Sequence, residues 1–126
     1  MIKTKELKLY IESTSDFKRK TGKELRAIDK GSAKRLSENS ISFQSIDQLR
    51  KFLTSKRLQL LRVIRYKKPK SIYELAKIVK RTPENVNTDI KFLEQLGFVE
   101  VTRIKDVRKK SVPEVSYDKM TLEIAV

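Results

Sequence analysis

The chain has no cysteine and no histidine. The first absence removes disulfides and thiol chemistry. The second removes the commonest general base, and together they remove the usual zinc and haem ligands. Glycine is scarce: Gly22, Gly31 and Gly97 lie too far apart to form a phosphate-cradling loop. The 16 acidic residues show no catalytic clustering along the chain. An enzyme is therefore not expected, nor is a metal or any other cofactor. No apolar run approaches the roughly 18–20 residues of a membrane-spanning helix, and the N-terminus lacks a signal-peptide core. A cytoplasmic protein with no membrane partner is expected.

What is abundant is positive charge. Lysine and arginine number 30, giving a net charge of +14 over 126 residues. A field of that strength attracts polyanions, nucleic acid first among them. Its distribution does not single out one half. Residues 1–53 carry 13 basic and 7 acidic side chains, and residues 54–126 carry 17 and 9.

The most informative stretch runs from Ser71 to Gly97 and holds two helix signatures. Ser71 and Glu74 form a capping box: the hydroxyl accepts the third helical N–H and the carboxylate reaches back to the cap amide. Ile72, Leu75, Ala76 and Val79 then mark one apolar face. Thr82 caps the second helix, Pro83 takes its first position, and Val86, Ile90, Leu93 and Leu96 form its inner stripe. Gly97 supplies the left-handed stop. Helices joined so tightly are expected to cross steeply, as in a helix-turn-helix.

Upstream, Leu7, Leu9 and Ile11 alternate with polar residues, as in a half-buried strand. Ser13 to Asp16 opens an expected helix with Phe17, Thr21, Leu25 and Ile28 inside and Gly31 at its end. Residues 30–40 read as a loop or hinge. Ile41-Ser42-Phe43 is a short extended piece, Ser45 to Gln48 is another capping box, and Thr54 caps a helix carrying Leu58, Leu60, Leu61, Val63 and Ile64. After Gly97 the chain turns to strands: Phe98 to Ile104, a basic turn through Lys110, a return from Val112 to Tyr117, and a last segment with Leu122 and Ile124.

Three helices followed by a hairpin with a basic tip predict an α+β fold, a winged helix-turn-helix with an N-terminal strand–helix extension. The expected division is 1–40 for the extension, a dimerisation or partner-binding unit, and 41–126 for the DNA-binding domain. Advancing ~100° per residue from Val86 puts Glu84, Asn87, Thr88, Lys91 and Gln95 opposite the apolar stripe. Such a helix enters the major groove. Asn87 suits adenine, Thr88 suits a base edge or a thymine methyl, and Lys91 suits guanine or phosphate. Asn85 and Gln95 complete the candidate recognition face. Arg103, Lys105, Arg108, Lys109 and Lys110 make the candidate wing, set to meet phosphate or a minor groove. Ser71, Arg81 and Thr82 are candidate phosphate contacts. Asp89 points toward the core edge and is read as a structural ion-pair partner. Phe92 is expected to pack on the N-terminal segment or a second subunit.

These motifs resemble small prokaryotic winged helix-turn-helix regulators of broadly MarR-like type. The similar residues run from Ile41-Ser42-Phe43 through Leu53-Thr54, Arg57, Leu60-Leu61, Ser71 to Ala76, Val86, Asp89, Leu93 and Leu96-Gly97 to Pro113–Asp118. Asn87-Thr88 departs from the family pattern, which has a basic residue before the aspartate. The resemblance implies sequence-selective binding of double-stranded DNA by a homodimer on the nucleoid, most simply as an autorepressor. The alternative it implies is an antitoxin that binds a small toxin protein and autoregulates its operon. The dimer interface is expected in the N-terminal unit or the C-terminal strand.

Overall fold

A computed structural model describes residues 5–12, 33–105 and 110–126. Period-two alternation does produce the first strand: β1 spans Glu6–Ile11, with Leu7, Leu9 and Ile11 buried. It is followed by β2 (Ala33–Ser37), β3 (Ser40–Phe43) and α1 (Ile46–Phe52). Three longer helices come next, α2 (Ser55–Lys67), α3 (Ile72–Val79) and α4 (Pro83–Leu96), then β4 (Glu100–Ile104), β5 (Lys110–Glu114) and β6 (Lys119–Ile124). The helix expected between Ser13 and Gly31 lies outside the described residues.

The strands form two sheets. The larger has the order β2-β3-β1-β6, with β1 parallel to both β3 and β6 and β2 antiparallel to β3. The smaller is the antiparallel hairpin β4-β5, which pairs Glu100 with Glu114 and Ile104 with Lys110. Residues 33–37 were expected in a loop but form β2. Their sequence has no strand alternation, and only Ala33 is buried. Pairing with β3 across the tight turn at Glu38-Asn39 fixes them instead.

Two compact units result: Met1–Phe52 together with Tyr117–Val126, and Leu53–Ser116. This division differs from the expected 40/41 boundary. Strand β3 lies beside β1, Phe43 and Phe52 pack ring to ring at 5.7 Å, and β6 joins β1 from the far end of the chain. Thr121 donates its hydroxyl to Glu6 Oε1 at 2.9 Å, and Lys119 Nζ lies 3.4 Å from Oε2. These contacts, the hydroxyl first, hold the Glu6 carboxyl below the usual carboxylate range.

The helix ends in the second unit follow the capping chemistry. Thr54, Ser71 and Thr82 each accept the backbone N–H three residues on, from Arg57, Glu74 and Asn85, at 3.0–3.2 Å. The Glu74 carboxylate reaches back to the amide of Lys70, not to that of Ser71, at 3.4 Å. Helix α4 stops at Gly97, whose φ of 89° is the left-handed value that favours glycine. Helix α3 ends on Lys80, a non-glycine residue with φ of 58°. The three-residue link Lys80–Thr82 is short enough to require that conformation. The core of this unit joins Leu60, Leu61 and Ile64 of α2, Leu75 and Ala76 of α3, and Val86, Ile90, Leu93 and Leu96 of α4, with Phe98 and Val99 beyond.

Leu75 is fully buried at the centre of that core. Leu75→Ala should cost about 2–5 kcal/mol, combining lost transfer energy with a cavity. Urea unfolding followed by circular dichroism will measure this as a lower midpoint at unchanged slope.

Candidate nucleic-acid interface

Burying one stripe of α4 presents the opposite face to solvent. Asn85, Thr88, Lys91 and Gln95 are exposed, and Asn87 is half-buried. The Thr88 hydroxyl donates to the Glu84 carbonyl at 3.0 Å, which orients its methyl and oxygen within the first turns. The five residues expected on a recognition face therefore line one side of one helix.

The rotation of α4 is held by charge as well as by packing. Asp89 receives Arg57 Nε at 3.1 Å on one carboxylate oxygen and Arg81 Nη2 at 2.7 Å on the other. All three side chains are largely withdrawn from water, at 14%, 20% and 15% exposure for Arg57, Arg81 and Asp89. The guanidinium of Arg57 also lies over the Phe92 ring, 4.0 Å from its centroid. Asp89 is thus the ion-pair partner expected. Phe92 stacks under Arg57 of its own unit, because a cation above a ring face gains from the quadrupole. Arg81, expected at a phosphate, donates Nη2 to Asp89 and ties the interhelix turn to α4.

Ser71 and Thr82, also expected at phosphates, cap their helices through oxygen lone pairs, and their O–H groups remain able to donate. Among the wing residues, Arg103 forms a bidentate pair with Glu94 at 2.9 and 3.0 Å, which raises its already high pKa. It clamps β4 to the last turns of α4. Lys105 and Lys110 are exposed, and neither makes an ion pair among the described residues. Arg108 and Lys109 lie outside the described residues.

Asn87 and Lys110 both line an open cleft of about 670 Å³, together with Ser71, Tyr73, Lys77 and Glu84. Lys77 lies over the Tyr73 ring at 4.9 Å. Neither Tyr73 nor Lys77 was expected at the site. Their i,i+4 spacing on α3 is the signal that pairs them, though it does not reveal that the hairpin comes to the same cleft.

The described residues define a mixed α+β protein in which α3, the start of α4 and Lys110 of the hairpin border one cleft. The sequence profile of the HVO_A0114 family matches residues 52–122, more than half of the chain, and the protein belongs to that family. No curated protein and no solved structure matches it.

Removing the Asp89 charge leaves two mostly buried guanidiniums facing one another. Asp89→Asn should destabilise the fold by about 2–4 kcal/mol. Arg103→Ala, at a more exposed pair, should leave the thermal midpoint almost unchanged. Thermal and denaturant unfolding of the two variants will test that ordering.

Proposed function

We propose that the protein is a DNA-binding regulator of winged helix-turn-helix, MarR-like type, acting as a homodimer on a short two-fold symmetric operator. Helix α4 is the reader and the β4-β5 hairpin is the wing. One observation carries this reading: Asn85, Asn87, Thr88, Lys91 and Gln95 share the solvent side of α4, with Lys110 at the cleft that Asn87 also lines.

The chemistry suits a duplex. Asn87 offers the paired donor and acceptor that match adenine N6 and N7, and Lys91 adds a cation on the same face. Lys105 and Lys110 supply unneutralised charge to the flanking backbone. Glu84, also on the cleft, has the wrong sign for a phosphate but complements the N-terminal end of α4. The net charge of +14 draws the protein to DNA over longer range. Two copies on one operator would set their reading helices about one helical turn apart, ~34 Å, and would occlude a promoter.

Fragments of genomic DNA retained by the protein will yield the operator. On that operator Asn87→Ala should cost about 1–3 kcal/mol and relax preference at one base pair. Replacing Lys105 and Lys110 by alanine should weaken binding to all duplexes alike and reduce the salt slope by roughly two. Fluorescence anisotropy on operator and random duplexes across a salt series separates the two effects. Equal losses on both duplexes for both variants, or no retardation of any duplex at moderate ionic strength, would overturn the reading.

A further inference from the structure

Strand β6 closes one edge of the four-stranded sheet, and among the described residues no strand pairs with its outer side. Open edges template further pairing and are commonly blunted by charge, proline or a bulge. Strand β6 carries no proline and follows β1 in unbroken register from Glu6↔Lys119 to Ile11↔Ile124. Along it, Leu122 and Ile124 are 43% and 53% exposed, although their partners Leu9 and Ile11 are buried. The apolar face therefore continues to the edge, where Leu122 and Ile124 are exposed.

The backbone direction follows from one hydrogen bond. Ala125 N–H donates to Ile11 O at 2.8 Å, so the odd-numbered residues of β6 turn their amides toward β1. Met120, Leu122 and Ile124 then direct N–H and C=O outward.

We propose that a second copy of the chain pairs with this edge, antiparallel β6 to β6, with the two-fold axis at Thr121. This register sets Met120 opposite Leu122 in both directions, and each of those pairs exchanges two outward hydrogen bonds. It also sets Lys119 of each copy opposite Glu123 of the other, on the polar face. Moving the axis to Glu123 would oppose two carboxylates. Moving it to Leu122 keeps the backbone bonds but separates the opposite charges. Centring on Thr121 makes the strand complementary to itself in both backbone and charge, as an isologous two-fold contact requires. Because each copy carries +14, the local pairing of opposite charges matters all the more.

This interface deepens the homodimer reading above and relies on it only for the use made of two copies. It is tested without DNA, so its failure is distinct from a failure to bind duplex. Light scattering on the full chain at moderate ionic strength should give twice the 14.8 kDa chain mass. Glu123→Lys should weaken association roughly tenfold. Leu122→Pro removes an outward N–H that β1 does not use, and should yield a folded monomer by circular dichroism. The absence of native cysteine allows a direct readout of register. Thr121→Cys occupies a non-hydrogen-bonded antiparallel pair, whose Cα separation falls within disulfide range. It should cross-link under mild oxidation, well above a Lys56→Cys control. A monomeric wild type, a dimer that survives both Leu122→Pro and Glu123→Lys, or cross-linking strongest through Leu122→Cys would overturn the proposal.

Discussion

Asp89 holds the second unit in register. One carboxylate meets Arg57 from the start of α2 and Arg81 from the turn between α3 and α4, at 3.1 and 2.7 Å. Two guanidiniums this far removed from water would be costly without an anion between them. The pairing is also directional, since each guanidinium takes a different carboxylate oxygen. Apolar packing of Val86, Ile90, Leu93 and Leu96 turns one stripe of α4 to the core, and the charged cluster adds a directional tie beside it.

A division of labour between arginine and lysine follows. Arg57, Arg81 and Arg103 are bound to carboxylates, where a planar fork can use several donors at once. Lys91, Lys105 and Lys110 are exposed and unpaired among the described residues. A strongly hydrated ammonium on a flexible stem gains little from burial and remains available to a mobile anionic partner. Much of the arginine in this unit therefore stabilises the protein itself, and the outward cationic character near the cleft rests on lysine. Counting basic residues alone would have merged these two roles.

The first unit obeys a different constraint. A parallel pair cannot be closed by a tight turn, so the two neighbours of β1 come from separate parts of the chain. Strand β3 is reached after a connection that includes β2, and β6 only after the whole of the second unit. The consequence is that residues 117–126 complete a sheet begun at residue 6, and the two ends of the sequence belong to one unit.

Local chemistry was sufficient wherever the determinants lie within a few residues. The caps at Thr54, Ser71 and Thr82, the stop at Gly97, the stripe of α4 and the alternation of β1 were all legible, because helix and strand periods and capping hydrogen bonds are short-range. The inward role of Asp89 was legible from its angle on the helix wheel. Its partners were not, since Arg57 lies 32 residues away and only packing of α2 against α4 brings them together. Strand β2 was hidden because an edge strand with one buried residue carries no period, and its pairing with β3 alone makes it a strand. The destination of β6 was equally hidden: an alternating apolar segment specifies that it will pair, while the surrounding fold decides with whom.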